Sequence, residues 1–114
     1  MERESFKGDR FMPLFAIVAR DKADHLQLRM DTREAHVEHL NSLGSRLLVA
    51  GPTLNVDRKP DGSLVVFEAS DKESALAFAD ADPYSKAGLF ERVDVRPYNA
   101  LLGSWPNGDA GEEE

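Results

Sequence analysis

The sequence predicts a single α+β domain in which strands and helices follow the order β-α-β-β-α-β. Three observations support this fold class. The chain has 114 residues, which is the length of one domain. Hydrophobic residues make up 41% of it, enough for one packed core. Short apolar runs alternate with segments of helical periodicity and with turn residues, in that order along the chain.

The first half of the domain reads as a strand, a helix and a second strand. Residues 14–19 form a continuous apolar run, which predicts a strand buried on both faces. A polar connection follows, and the spacing predicts a helix over residues 31–43 with Asp31 as its N-cap. Residues 47–50 predict a second strand, which we expect to end at the Gly51-Pro52 pair.

The second half repeats this arrangement after a turn-rich loop at residues 55–62. Residues 64–67 predict a third strand, again apolar without alternation. Residues 70–73 form a capping box, which starts a helix that we expect to run to about Asp82, before a proline. The last strand includes residues 93–96, whose alternation of apolar and charged side chains suits the edge of a sheet.

This order is the split arrangement of a ferredoxin-like domain, with four antiparallel strands and two helices on one face. The first and third strands are central in that topology, and they are the two without alternation. The sheet face opposite the helices therefore needs a cover that one domain does not supply. We expect a second copy of the chain to provide it, giving a homodimer through the open sheet face, an association of the dimeric α/β-barrel type.

Composition defines the boundaries and excludes several classes of function. We expect a polar N-terminal extension at residues 1–11, one domain at 12–105 and an acidic flexible tail at 106–114. The net charge is −7, so neither nucleic acid nor an anionic membrane surface is an expected partner. The absence of cysteine excludes disulfides and thiolate ligands, and no apolar run approaches the ~20 residues of a membrane helix. A cytoplasmic protein is the expectation.

Two ionisable residues occupy positions that face the core. On the first helix, His36 shares an apolar stripe with Leu40 and Leu43. On the second, Asp82 continues the inward stripe of Ala75 and Phe78. Both helices lie on one face of the sheet, so His36 and Asp82 are predicted to meet. A carboxylate that accepts from one imidazole nitrogen fixes the tautomer and makes the other nitrogen a general base or acid.

Simpler interpretations stand beside this one. A histidine on an apolar stripe is usually a hydrogen-bonded core residue, and an aspartate before proline commonly ends a helix. His36 and His39 are spaced as two metal ligands can be, but HExxH is absent and His39 lies off the stripe. No metal site and no cofactor is therefore predicted.

Several short motifs of the chain together carry a family resemblance. They are Asp21-Lys22-Ala23-Asp24, Arg33-Glu34-Ala35-His36, Leu48-Val49-Ala50-Gly51-Pro52, Ala79-Asp80-Ala81-Asp82-Pro83-Tyr84 with Ala87-Gly88, and Val95-Arg96-Pro97-Tyr98. In this order and spacing the chain resembles the YciI-like (YCII-related) family of small bacterial proteins, over roughly residues 14–98. The resemblance implies a ferredoxin-like dimer with a His/Asp-centred site, and by motif that pair is His36 and Asp82.

The candidate ligand-binding residues are Arg33, Gly51, Pro52 and Tyr84. Arg33 lies one turn before His36 and matches a family position; it is a candidate contact for an anionic substrate, and a solvent-facing ion pair is the alternative. Gly51 and Pro52 can present backbone amides, and Tyr84 can line a pocket, although a turn and an anchor are the commoner roles of such residues.

The leading hypothesis is a small cofactor-independent enzyme, a lyase or isomerase, in which His36 transfers a proton on a small metabolite and Asp82 orients it. The resemblance is consistent with this class, because some YciI relatives are linked to HCl elimination from chlorinated aromatics. One alternative is a dimeric module that binds a small ligand without chemistry. Another is a buried pair that only specifies the core, for which Asp82→Asn is expected to cost ~3 kcal/mol.

Overall fold

The fold has the predicted element order. A computed structural model describes residues 12–103; the predicted extension at 1–11 and tail at 106–114 lie outside them. The elements are β1 (Leu14–Asp21), α1 (Leu26–Asn41), a 3-10 turn (Gly44–Arg46), β2 (Leu47–Leu54), β3 (Pro60–Glu68), α2 (Lys72–Asp80), α3 (Pro83–Lys86) and β4 (Phe90–Tyr98). Among the described residues, no helix is long and apolar enough to cross a bilayer.

The four strands form one sheet in the order β2-β3-β1-β4. Every pairing is antiparallel, so the first and third strands are central, as predicted. β2 and β4 are the outer strands, and each contains one proline, Pro52 and Pro97. A proline is tolerated there because its missing N–H faces away from the neighbouring strand.

The core lies between one sheet face and the helices. Alternate residues of the strands point into it, because successive side chains of a strand face opposite sides. The core cluster consists of Phe15, Ile17, Leu40, Leu43, Val65, Phe67, Ala69, Ala75, Ala79 and Val95. The predicted inward stripe of α1 is confirmed by the burial of His36 and Leu40, and Leu43 joins the same cluster just beyond the end of the helix.

Two element boundaries differ from the prediction in ways that affect the site. α1 begins at Leu26, five residues before Asp31, because the preceding segment consists of good helix formers. Asp31 accepts a hydrogen bond from Gln27 at 2.8 Å instead of capping the helix. The second predicted helix ends at Asp80, and Pro83 begins the one-turn helix α3 because proline suits the first helical position.

β2 also runs further than predicted. It continues through Gly51 and Pro52 to Leu54, so the predicted end of the strand at that pair is wrong. The turn between β2 and β3 is correspondingly short and leaves residues 55–59 outside the strands. Proline breaks a central strand, but an outer strand accommodates it because only one of its edges is paired.

Candidate functional site

The candidate site lies where α1 meets the junction between α2 and α3. His36 on α1 and Asp82 at the start of α3 are both buried, 8% and 7% exposed. They are 46 positions apart in sequence, and the packing of the helices on one sheet face brings them together. The structure thus brings the two side chains into contact.

The carboxylate of Asp82 holds one nitrogen of the His36 ring. Nδ1 lies 2.9 Å from Oδ1 and 2.9 Å from Oδ2 of Asp82. An ionised carboxylate only accepts, so Nδ1 carries the proton and Nε2 carries the lone pair of the neutral ring. Within residues 12–103, no group forms a hydrogen bond with Nε2 of His36. In this tautomer Nε2 is an acceptor without a hydrogen bond from the described residues.

Asp82 is itself fixed by the local backbone. It is the N-cap of α3, and its Oδ1 accepts a hydrogen bond from the backbone N–H of Tyr84 at 2.9 Å. An aspartate in this position satisfies one of the amides that a helix N-terminus leaves without a partner. The same carboxylate thus caps the start of α3 and bonds to a histidine on another helix.

Tyr84 packs flat against His36. The two rings are stacked with centroids 3.9 Å apart and planes 14° apart. Tyr84 is only 1% exposed, so its ring supports His36 from within the core. Burial raises the pKa of the Tyr84 phenol, and the positive charges of Arg29 and Arg33 offset only part of that effect. The ring beside His36 therefore stays neutral at ordinary pH.

A buried arginine lies against the same tyrosine. The guanidinium carbon of Arg29 is 4.6 Å from the centroid of the Tyr84 ring. Its Nε and Nη2 donate to the two oxygens of Asp21 at 2.6 and 2.9 Å, and Nη2 also donates to the hydroxyl of Ser63 at 2.9 Å. Burial acts to lower the pKa of Arg29, but the hydrogen bond and charge of Asp21, with smaller contributions from Tyr84, together outweigh it, so the pKa is raised.

Sequence reasoning missed Arg29, Asp21 and Ser63. The helical period contained the signal for Arg29, because it lies seven positions before His36 on the same stripe. Placing the start of the helix at Asp31 excluded it. Asp21 and Ser63 carry no such signal, since each lies on a strand whose apolar pattern says nothing about its polar ends.

The other predicted ligand-binding residues lie outside this cluster. Arg33 is exposed on α1, one turn before His36, and its charge reaches the Tyr84 phenol. Gly51 and Pro52 are exposed on β2, where Pro52 pairs with Ser63. Within the described part of the chain, neither forms a hydrogen bond with His36 or Asp82.

His39 has a different partner from His36. Its Nε2 donates to the backbone carbonyl of Phe78 at 2.9 Å, and its ring stacks on the Phe78 ring with centroids 4.0 Å apart. Phe78 lies in the last turn of α2, where carbonyls lack a partner within the helix. Among residues 12–103, no group of three or more His, Cys, Asp and Glu is arranged to hold a metal ion.

Two surface cavities lie away from the dyad. One, of about 420 Å³, is lined by α2, the last residues of β3 and the connection between them, together with Met12 and Arg46. The other, of about 450 Å³, lies between the β1–α1 connection and the β2–β3 turn. Neither is lined by His36 or Asp82. Asp21 lines the second, so its carboxylate links that cavity to Arg29.

Comparison with known proteins identifies the family. A family model described as a YCII-related domain matches residues 13–99. The chain belongs to this family. Protein YciI of Escherichia coli O6:H1 and that of Shigella flexneri are each 44% identical to it over 97 residues, which is 78% of this chain and 99% of the relative. A protein of Haemophilus influenzae is 34% identical over 77% of this chain and 98% of its own length.

A solved structure of an enzyme is also similar to this YCII-related chain. It is the 5-chloro-2-hydroxyhydroquinone dehydrochlorinase of Burkholderia phenoliruptrix, in complex with 2,5-dihydroxybenzoquinone. The sequence identity is 33% and the TM-score 0.73, over 77% of this chain and 95% of that one. A NIPSNAP-family protein of Agrobacterium tumefaciens, 12% identical with a TM-score of 0.51 over 83% of this chain and 98% of its own, shares the fold alone.

Proposed function

We propose that this YCII-related protein is a small cofactor-independent enzyme that transfers a proton on a small metabolite, in an isomerisation or an elimination. His36 is the general acid and base, and Asp82 orients it. The observation that carries the proposal is the geometry of the dyad: Asp82 occupies Nδ1 of His36, while Nε2 bonds to none of the described residues. The dehydrochlorinase activity of a relative 33% identical supports this reaction class.

The proposed reaction needs a single base, the lone pair on Nε2 of His36. Nε2 of His36 removes a proton from a carbon next to a carbonyl, and the electron pair of the broken C–H bond moves into a new double bond. In an elimination that pair expels a leaving group such as chloride. In an isomerisation the imidazolium returns the proton to another atom of the substrate. Asp82 stabilises the imidazolium in between, because an opposite charge beside the ring favours its charged form.

We propose Arg33 as the group that attracts the negative oxygen of such a substrate. It is an exposed cation one turn from His36, and guanidinium matches the geometry of carboxylate and enolate oxygens. Gly51 and Pro52 of β2 are proposed to contact a part of the ligand that lies further from His36. Tyr84 acts through its stacking on His36, since a ring this deeply buried has little surface to offer a ligand.

The test is turnover of chlorinated hydroxyhydroquinones, followed by chloride release, with 2,5-dihydroxybenzoquinone as the binding probe. We expect His36→Gln to reduce turnover by about 10²- to 10⁴-fold, the range typical of a general base. His39→Gln is the matched control, because it removes a stacked histidine from the same helix without touching the dyad. An active His36→Gln enzyme contradicts the proposal. Ligand binding retained in that variant, with no turnover of any compound by the wild type, identifies a binding module.

We also propose that a second copy of the chain covers the open sheet face. Val18, Val49 and Leu64 point away from the helices on neighbouring strands and are each 40% or more exposed. An apolar patch of this kind is typical of an interface. Light scattering after size exclusion is expected to give a dimer, and Val18→Lys a monomer. Val56→Lys, in the exposed β2–β3 turn, is the control that keeps the dimer. A monomeric wild type contradicts this.

A further inference from the structure

The side chain of Arg29 is buried and has three hydrogen bonds to residues outside its helix. It is 5% exposed, and its guanidinium forms two parallel hydrogen bonds with Asp21 and a third with Ser63. These partners come from β1 and β3, the two central strands. A charge inside a protein is costly unless it is paired and hydrogen-bonded, as this one is. Hydrogen bonds to both central strands therefore fix the plane of the guanidinium group.

The ring of Tyr84 lies between Arg29 and His36. These two residues are seven positions apart on α1, which separates them by about 10.5 Å along the helix axis. Tyr84 is stacked 3.9 Å from the His36 ring, and its centroid is 4.6 Å from the guanidinium carbon. One aromatic ring thus contacts two side chains that lie about two helical turns apart on α1. Guanidinium groups stack well on such a face.

Tyr84 also contacts the other member of the dyad. Its backbone N–H donates to Oδ1 of Asp82, the oxygen that lies 2.9 Å from Nδ1 of His36. A shift of Tyr84 therefore changes the support of the imidazole ring and the position of the carboxylate together. No other residue among those described contacts both His36 and Asp82 in this way.

We propose that Arg29 is a positioning residue of the dyad: fixed by Asp21 and Ser63, it holds Tyr84 against His36 and so sets the direction of Nε2. This inference rests on the proposed function for its effect on turnover. Its effect on the His36 ring can be measured without any substrate. Lysine is a poor replacement, because an ammonium group can neither pair with a carboxylate through two parallel bonds nor stack on a ring as a plane.

The test compares four proteins by NMR and by kinetics. Arg29→Met with Asp21→Asn removes both charges, so no carboxylate is left buried without a partner. Arg29→Lys keeps the charge and the paired carboxylate and is the conservative variant. Gln27→Met with Asp31→Asn is the control, because it removes an exposed hydrogen-bonded pair from the same helix. The readouts are the ring-current shift of the His36 protons, the ¹⁵N shifts of its two nitrogens, and kcat and KM.

We expect the double variant at Arg29 and Asp21 to lose the upfield shift that stacking on Tyr84 gives His36. Its kcat is expected to fall by about 10²-fold with little change in KM, because a misplacement of about 1 Å costs that much in rate. Arg29→Lys is expected to recover part of both, and the control to match the wild type. Unchanged His36 resonances in a folded double variant overturn the inference, whatever the rate. Changed resonances with no turnover by the wild type overturn the proposed function and leave the positioning role standing.

Discussion

His36 and His39 lie about one turn apart on α1, and each stacks on an aromatic ring at nearly the same distance, 3.9 Å from Tyr84 and 4.0 Å from Phe78. Their hydrogen bonds differ. His36 pairs with the carboxylate that caps the start of α3, whereas His39 pairs with a carbonyl at the end of α2. Both partners are groups through which a helix terminus is completed.

The difference between the two partners decides the chemistry available to each ring. A carbonyl is neutral, and the bond to Phe78 occupies Nε2 of His39 as a donor. The carboxylate of Asp82 is an ionisable group that bonds to Nδ1 of His36, and within residues 12–103 no group forms a hydrogen bond with Nε2. In the proposed function, whether a histidine of α1 acts as a general base therefore depends on which end of a neighbouring helix it meets.

The largest expected effect comes from removing the charge of Asp82 while keeping its cap. Asparagine caps helices as well as aspartate does, so Asp82→Asn preserves the start of α3. Its amide can donate to Nδ1 of His36, which places the imidazole proton on Nε2. We expect turnover to fall by about 10²-fold or more, and ¹⁵N NMR to show the exchanged tautomer.

The control for that variant is Asp80→Asn, which removes an exposed carboxylate two positions earlier. We expect it to match the wild type in turnover and in the His36 spectrum. The free energy of unfolding separates the remaining interpretation. A pair that only specifies the core is expected to lose ~3 kcal/mol in Asp82→Asn. A folded Asp82→Asn protein that keeps both its tautomer and its activity contradicts the catalytic dyad.

A smaller effect is expected at the other histidine. His39→Gln weakens the stacking on Phe78 and the hydrogen bond to its carbonyl, and we expect the free energy of unfolding to fall by about 1–2 kcal/mol. Urea denaturation measures this loss. His25→Gln is the control, because the His25 ring bonds to the carbonyl of Ala23, two positions away, and within residues 12–103 to no group on another helix or strand. A loss of turnover in folded His39→Gln would contradict the proposal that only His36 of the two histidines acts in turnover.

The sequence predicts burial well where a segment follows a single hydrophobic pattern, as the strands β1 and β3 and the helix α1 do. The unbroken apolar runs of β1 and β3 agree with their central positions in the sheet. The apolar stripe of α1 correctly predicted that His36 is buried. The position of Asp82 was correct for an incomplete reason: the inward stripe pointed to it, but a one-turn helix, which is too short to show a period, makes it a cap. The strand residues that hold Arg29 are 8 and 34 positions away, and only the assembled sheet brings them together.

Pro52 and Pro97 have a consequence beyond the strands that contain them. Each lies on an outer strand, where an unbroken row of backbone amides would be a template for pairing with another chain. Proline interrupts that row, because it has no amide hydrogen to offer a neighbouring strand. One proline in each outer strand thereby disfavours edge-to-edge pairing, the route by which exposed strands form aggregates. Association through the broad face stays open, so the same two residues oppose fibre growth and permit a closed assembly.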